Sequence, residues 1–289
     1  MGERPTSSTT EPKLRGARVP RRGFMRQMGG LAAAGGAAIL AQAASGDRPA
    51  RAQGRKNTFV LVHGAWHGGW CWQRVTPLLA AEGHAVHTPT LTGLGDRKHL
   101  TAPGGINIDT HVEDIVALLE MEDLNEVTLV GHSYAGFVIT GVADRAKARL
   151  RNLIYFDAFV GENGKGLADY VPAERLVPFL KPAATMGGFP SFPVARFGVT
   201  DPKDAAWVSA RLTSQPFFTF TQPLKIANPA GNGLPRSFIY CSQPSMGMFD
   251  HFAQMARSDA SWKFREMKTG HDAMITDPKG LVTHLIELA

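Results

Sequence analysis

The stretch "NEVTLVGHSYAGFVITGVADRA", residues 125–146, decides the fold. An apolar run, Val127-Thr128-Leu129-Val130, ends in Gly131-His132-Ser133-Tyr134-Ala135-Gly136, and a second apolar stretch follows. The first run reads as a strand and the second as a helix. A serine between them sits on a very tight strand-to-helix turn, which lifts its hydroxyl clear of the backbone. Such a bend leaves no room for large side chains two residues before or after it. Gly131 and Ala135 meet that need, with Gly136 close behind. The usual pattern is G-x-S-x-G, so alanine at 135 is a mild departure that keeps the position small.

On the N-terminal side, "NTFVLVHG" (57–64) reads as a strand and "GGWCWQRVTPLLAAEG" (68–83) as a helix with Trp72, Val75, Leu78 and Leu79 on one face. "HAVHTPTL" (84–91) is a second strand, leading into a glycine-rich loop. "DTHVEDIVALLEMEDL" (109–124) is a helix with Asp109 as its expected N-cap. Beyond the serine turn, "LRNLIYFDAF" (150–159) is a further strand. Strictly alternating strands and helices imply an α/β fold, a mostly parallel sheet with helices on both faces. The alternation breaks over residues 160–235, rich in Pro, Gly and Phe and too long for a loop. That segment reads as an inserted lid. The sheet resumes with strands at 236–242 and 262–268, a helix near 249–258 and a last helix at 278–289.

The 289 residues suit one large α/β domain, and the formal net charge is +6. Residues 1–52 carry nine Lys/Arg and three Asp/Glu, an excess equal to the whole net charge. The rest has no net field to steer it to a polyanion, so no nucleic-acid partner is expected. The arm holds Arg21-Arg22, a weakly apolar Ala/Gly stretch (28–44) and "PARAQ" (49–53) with small residues at Ala50 and Ala52. Charged start, apolar middle and A-x-A end describe a twin-arginine-type signal peptide over 1–52. Residues 53–289 are then an exported catalytic domain, periplasmic or secreted, with no stable membrane insertion after processing. Cys71 and Cys241 form no disulfide framework and read as two buried thiols.

Parallel sheets present ligands at the carboxyl ends of their strands, where Ser133 lies. The helix after it starts with unpartnered N–H groups aimed at developing negative charge, and Tyr134 N–H is the nearest. A second donor is expected from "HGAW" (63–66), where Gly64 lets Ala65 N–H reach the same spot. A serine nucleophile needs a base. His271, in "MKTGHDAMITDP" (267–278) after the last strand, has the chain position such a base requires. His63 and His67 mimic a metal pair at i, i+4, but no acidic partner motif accompanies them, so a structural or pocket-lining role is expected and no metal. Trp66 and His132 are the expected substrate contacts. Phe189, Phe192, Phe197, Phe217, Phe218 and Phe220 supply further aromatic surface in the lid.

"FVLVHGAWHGGWCW", "LVGHSYAG" and "TGHDAM" together resemble the α/β-hydrolase superfamily, most closely the group of plant methylesterases, hydroxynitrile lyases and bacterial esterase relatives. The resemblance covers most of 57–289 and is weakest in the lid. It implies Ser133 as nucleophile, His271 as base, and Ala65 and Tyr134 as oxyanion-hole donors. The sequence carries no phosphate loop, dinucleotide fingerprint or convincing metal cluster, so no cofactor is expected, and the lid aromatics suit a small ester as substrate. In close relatives the acid follows the strand matching 236–241. Here no carboxylate follows that strand before Asp250. Asp157, at the end of "LIYFD", is the favoured acid, with Asp250 and Glu162 as alternatives. The lyases resemble a different first turn, with threonine where Gly64 stands, and carry lysine where Asp272 follows the base. Both differences favour ester hydrolysis. A small-molecule-binding member, a hydroxynitrile lyase and a carbon–carbon hydrolase remain the alternatives.

Overall fold

The structure is a computed structural model that describes residues 56–289 apart from Thr101, Pro103 and Gly104. The signal peptide expected over 1–52 lies outside the described residues. In chain order the strands are β1 (Thr58–Val62), β2 (Ala85–His87), β3 (Val127–His132), β4 (Leu150–Phe156), β5 (Gly188–Phe189), β6 (Gln215–Pro216), β7 (Arg236–Cys241) and β8 (Trp262–Met267). Six of them form one parallel sheet in the order β2-β1-β3-β4-β7-β8. The helices are α1 (Thr76–Ala81), α2 (Ile108–Met121), α3 (Ala135–Ala146), α4 (Ala173–Met186), α5 (Pro202–Ser209), α6 (Phe217–Thr221), α7 (Asp250–Ser258), α8 (Ala273–Thr276) and α9 (Pro278–Leu288).

All six residues of β3 are buried, as expected for a strand between β1 and β4 with both faces covered. In α3, every residue from Ala135 to Ala143 is buried. Each fully buried Val, Ile or Phe contributes about 1.5–3 kcal/mol. The strand, the turn and the helix that hold Ser133 are therefore the most firmly packed part of the sheet. A Cβ on Gly131 would lie 2.7 Å from the Ala135 carbonyl oxygen, and one on Gly136 would lie 1.8 Å from that of Phe159. The small residues around Ser133 are thus required by backbone contacts.

Three local readings of the sequence change. The helix expected over 68–83 is split into a 3₁₀ turn, Gly69–Trp72, and α1. Pro77 lacks an N–H and is tolerated only in the first turn of a helix, so α1 must begin beside it. The second strand shrinks to three residues paired with β1 alone, and Pro89 follows at this sheet edge. Asn107, not Asp109, caps α2: its side chain accepts from Thr110 N at 3.0 Å while Thr110 Oγ1 accepts from Asn107 N at 3.3 Å. Asp109 instead occupies the first turn, where its charge favours the helix N-terminus, and pairs with Arg145.

Residues 160–235 carry α4 to α6 and the short antiparallel pair β5–β6. The segment reaches residues that follow the carboxyl ends of two sheet strands. Thr213 N donates to Trp66 O at 2.9 Å beyond β1, and Asp272 N donates to Phe197 O at 2.9 Å beyond β8.

Candidate active site

Ser133 adopts φ +56°, a left-handed conformation rare outside glycine. Such strain costs about 1–3 kcal/mol and persists only where the surroundings over-determine it. Here Ser133 N donates to Phe156 O at 3.1 Å, and Ser133 O accepts from Gly136 N at 3.1 Å and Phe159 N at 3.2 Å. The residue is 7 % exposed at the carboxyl end of β3.

His271 lies between β8 and α8 and is 3 % exposed. Its Nδ1 is 2.6 Å from Asp157 Oδ2. Asp157, at the end of β4, takes φ +41°, and its N donates to Ile239 O at 2.7 Å. Its Oδ1 accepts from Cys241 N at 3.0 Å. The sheet order explains the meeting: β4 neighbours β7 and β7 neighbours β8, so strand-end residues of β4 and β8 converge across β7. Burial pushes the Asp157 carboxyl above its usual range, against the His271 and Cys241 hydrogen bonds, which favour the carboxylate. The other two acid candidates are exposed. Asp250 accepts from Tyr240 Oη at 2.7 Å and Ser245 Oγ at 2.6 Å, and Glu162 accepts from Tyr170 Oη at 2.9 Å.

Phe249 stacks on the His271 ring at 4.9 Å, and His132 lies on it at 4.3 Å between centroids. Ser133 Oγ and His271 Nε2 each make no hydrogen bond among the described residues. Such bonds are often long in a substrate-free site and tighten on binding.

The turn after β1 is fixed peptide by peptide. His63 Nδ1 donates to Gly64 O at 2.8 Å, and its Nε2 accepts from Leu91 N at 3.0 Å. Gly64 C=O and Ala65 N–H belong to one planar trans peptide and point opposite ways. Holding the carbonyl therefore aims the N–H. In the next peptide, Ala65 O is 2.7 Å from His67 Nδ1, and Trp66 N donates to Gln215 Oε1 at 3.0 Å. Trp66 has φ +65°. Neither Ala65 N–H nor Tyr134 N–H has an acceptor among the described residues. A Cβ on Gly64 would lie 2.9 Å from both Ser133 Cβ and His132 Nδ1, so this turn abuts the serine turn. Gly64→Ala must push the two turns apart. Displacing a reacting group by about 1 Å can cost roughly 100-fold. A loss of that order in kcat/KM is expected, and an unimpaired variant would show that the turn is not held against Ser133.

A profile of the alpha/beta hydrolase family matches residues 59–284. The chain belongs to this family. It is 37 % identical over 243 residues to a carbendazim hydrolyzing esterase of Nocardioides sp. (strain SG-4G), covering 80 % of this chain and 98 % of the relative. It is 27 % identical to methylesterase 2 of Arabidopsis thaliana, covering 81 % and 97 %. Among solved structures, an extracellular alpha/beta-hydrolase from a Paenibacillus species superposes with a TM-score of 0.70 at 24 % identity, covering 81 % of this chain and 99 % of that one.

In this alpha/beta hydrolase His132 is not on the open surface of the site, contrary to its expected role as a substrate contact. It is 0 % exposed, its Nε2 donates to His271 O at 3.1 Å, and its ring packs on Phe156 at 4.8 Å. It supports the loop of His271 from behind. Trp66 donates its indole N–H to Phe189 O at 3.0 Å and packs against Phe192, Phe197 and Phe220. Phe218 is exposed and Phe217 stacks on Phe189, so these two face away from that cluster or buttress it. Cys71 and Cys241 are both free and buried. One grouping among the described residues brings metal-ligand types together: His132, His271 and Asp272, with candidate ligand atoms within 4.8 Å. Within it, His271 Nδ1 is committed to Asp157 and His132 Nε2 to the His271 carbonyl, while His132 Nδ1 and Asp272 Oδ1 have no partner among the described residues.

Gln215 has no signal in the sequence, because its partner lies 149 residues away. His63 and His67 did carry one, their i, i+4 spacing. That spacing brackets the turn, and each histidine holds one of its carbonyls.

Burial drives the His63 pKa down to about 3 and the His111 pKa down to about 4. Both folded values lie below the unfolded value, so the unfolded chain binds more protons at acid pH. The stability they contribute is complete above about pH 6.5 and is lost as pH falls toward those folded values. Between pH 7.5 and 5 each should cost about 2 kcal/mol. Buried His132 adds in the same sense, while His67, whose pKa is raised, opposes. Urea unfolding at the two pH values should show the weaker fold at pH 5. Equal stability would mean that these rings are not held neutral.

Proposed function

We propose that this carboxylic ester hydrolase cleaves small esters through an acyl-enzyme on Ser133, with His271 as base and Asp157 as acid. Asp157 accepts the Nδ1–H of His271, which leaves Nε2 as the atom that takes the Ser133 proton. Ser133 Oγ then attacks the ester carbonyl. The tetrahedral oxyanion accepts hydrogen bonds from Ala65 N–H and Tyr134 N–H, donors with no acceptor among the described residues. Collapse breaks the bond to the leaving oxygen, which takes its proton from His271. A water activated by the same imidazole frees the acid and restores Ser133. The Asp157–His271 contact at 2.6 Å, meeting the strained serine turn, carries this reading.

Residues 160–235 act as a cover in this account. Thr213 and Gln215 grip Trp66, and Phe197 lies 6.1 Å from the His271 ring between centroids. Aromatic rings beside His271, Phe197 and Phe249, favour a substrate with an apolar or aromatic part. The similarity to a carbendazim hydrolyzing esterase and to a methylesterase puts carbendazim and methyl esters first in a substrate panel. Steady-state assays on these and on short-chain p-nitrophenyl esters test the proposal. Turnover of at least one is expected, and inertness toward the whole panel would sink it.

A further inference from the structure

Asp272 follows the proposed base, in a position where the lyase-like pattern has lysine. Its carboxylate is fully buried. Among the described residues Oδ1 has no partner, and Oδ2 lies 3.2 Å from His67 Nε2. The other nitrogen of His67 lies 2.7 Å from Ala65 O. Both neighbours of the ring are oxygens that accept. A neutral imidazole has one N–H and would leave one of these buried contacts unmade, which is expensive. A buried carboxylate with a single partner also needs a cation to remain charged. Both contacts are made when one further proton lies between His67 Nε2 and Asp272 Oδ2; burial opposes charge there, but the coupling to Asp272 raises the His67 pKa and places that proton on the imidazole, with Asp272 ionised. Of the groups near the pair, burial keeps His63 and His132 neutral through lowered pKa values and Cys71 through a raised one, and His271 adjoins Asp272.

We propose that His67 and Asp272 form a second buried acid–imidazole pair that positions the Ala65 N–H and ties the loop of the base to the turn of the oxyanion hole. The inference rests on the esterase reading above. Asp272 is itself anchored: its N donates to Phe197 O, and its O accepts from Ile275 N at 2.8 Å and Thr276 N at 3.1 Å at the start of α8. His67 stacks on Trp70 at 5.3 Å. The pair is thus a rigid strut with Ala65 O at its far end. Ala65 sits between two peptides, and the strut fixes the second as His63 fixes the first. Without it, the left-handed Trp66 is free to relax and Ala65 N–H swings off the oxyanion. His67 and Asp272 are positioning residues, because neither touches the reacting atoms.

The test uses the full chain and the near-isosteric variant Asp272→Asn. In wild type labelled with ¹⁵N-histidine, His67 is identified as the imidazole whose signals are missing from His67→Gln. Both of its nitrogens are expected to be protonated at pH 7.5. On a p-nitrophenyl ester, Asp272→Asn is expected to lose roughly tenfold or more in kcat with KM changed by less than about twofold, a fraction of the effect of deleting an oxyanion donor. Affinity for a boronic acid that mimics the tetrahedral intermediate should fall in parallel. A neutral His67 in wild type, or a variant with wild-type kcat, overturns the inference. Should Asp272→Asn fail to fold, selective labelling at position 67 through His67→Gln subtraction still reads the wild-type protonation state. Absence of ester turnover by wild type would count against the esterase reading alone, since the NMR readout needs no activity.

Discussion

Replacing Ser133 with alanine is expected to lower kcat on any ester the wild type hydrolyses by about 10⁴-fold or more, the range seen when a serine nucleophile is removed. The variant keeps the shape of the site. Position 133 is already at φ +56°, and its three backbone hydrogen bonds do not involve the side chain. The melting temperature should therefore change by no more than a few degrees. What disappears is the bond-forming oxygen, and the two N–H donors alone give only residual catalysis. Burst kinetics should vanish as well. Retained turnover with a normal melting curve would move the chemistry to another residue.

Asp157→Asn is expected to cost about 10⁴-fold in kcat, as loss of the acid does where it fixes a histidine tautomer. The two oxygens of Asp157 serve different donors, Cys241 N and His271 Nδ1. Asparagine offers one oxygen and one NH₂. With its oxygen kept on Cys241 N–H, the NH₂ faces His271 Nδ1 and forces that nitrogen to accept. The ring proton then sits on Nε2, which can no longer take the serine proton. Asp250→Asn is the control. Asp250 is exposed, and both its partners are hydroxyl donors that an amide oxygen also accepts. It should stay within about threefold of wild type, as surface substitutions usually do. The reverse pattern, a crippled Asp250→Asn beside an active Asp157→Asn, would reassign the acid.

The parts of this protein that were legible in its sequence are those where local chemistry and tertiary structure agree. Gly131, Ala135 and Gly136 marked the serine turn because a tight bend tolerates only small residues, and the backbone contacts at Gly131 and Gly136 impose that same restriction. The strand–helix alternation gave the parallel sheet because β3 is buried along its whole length and α3 is buried from Ala135 to Ala143. Periodicity overreached at 68–83, where the apolar face continues but Pro77 cannot. It misplaced the start of α2 because Asn107 and Asp109 are both good capping residues and only the reciprocal bond with Thr110 separates them.

The acid was ambiguous for a topological reason. Which carboxylate meets His271 depends on strand order across β4, β7 and β8, and nothing local to Asp157 encodes that order. His132 misled because its place beside the serine in sequence suggests the open site, whereas its ring is buried against Phe156 and the His271 backbone carbonyl. The contacts of His67 with Asp272 and of Gln215 with Trp66 join residues more than a hundred positions apart, so neither leaves a pattern to read.

The most direct measurement is covalent trapping of the nucleophile. The full chain is treated with a fluorophosphonate, digested, and mapped by peptide mass spectrometry. The account predicts a single stoichiometric adduct on Ser133, formed with the same pH dependence as ester turnover and greatly slowed by His271→Ala. A preparation that hydrolyses esters while Ser133 stays unlabelled, or that carries the adduct on a different serine, would contradict it.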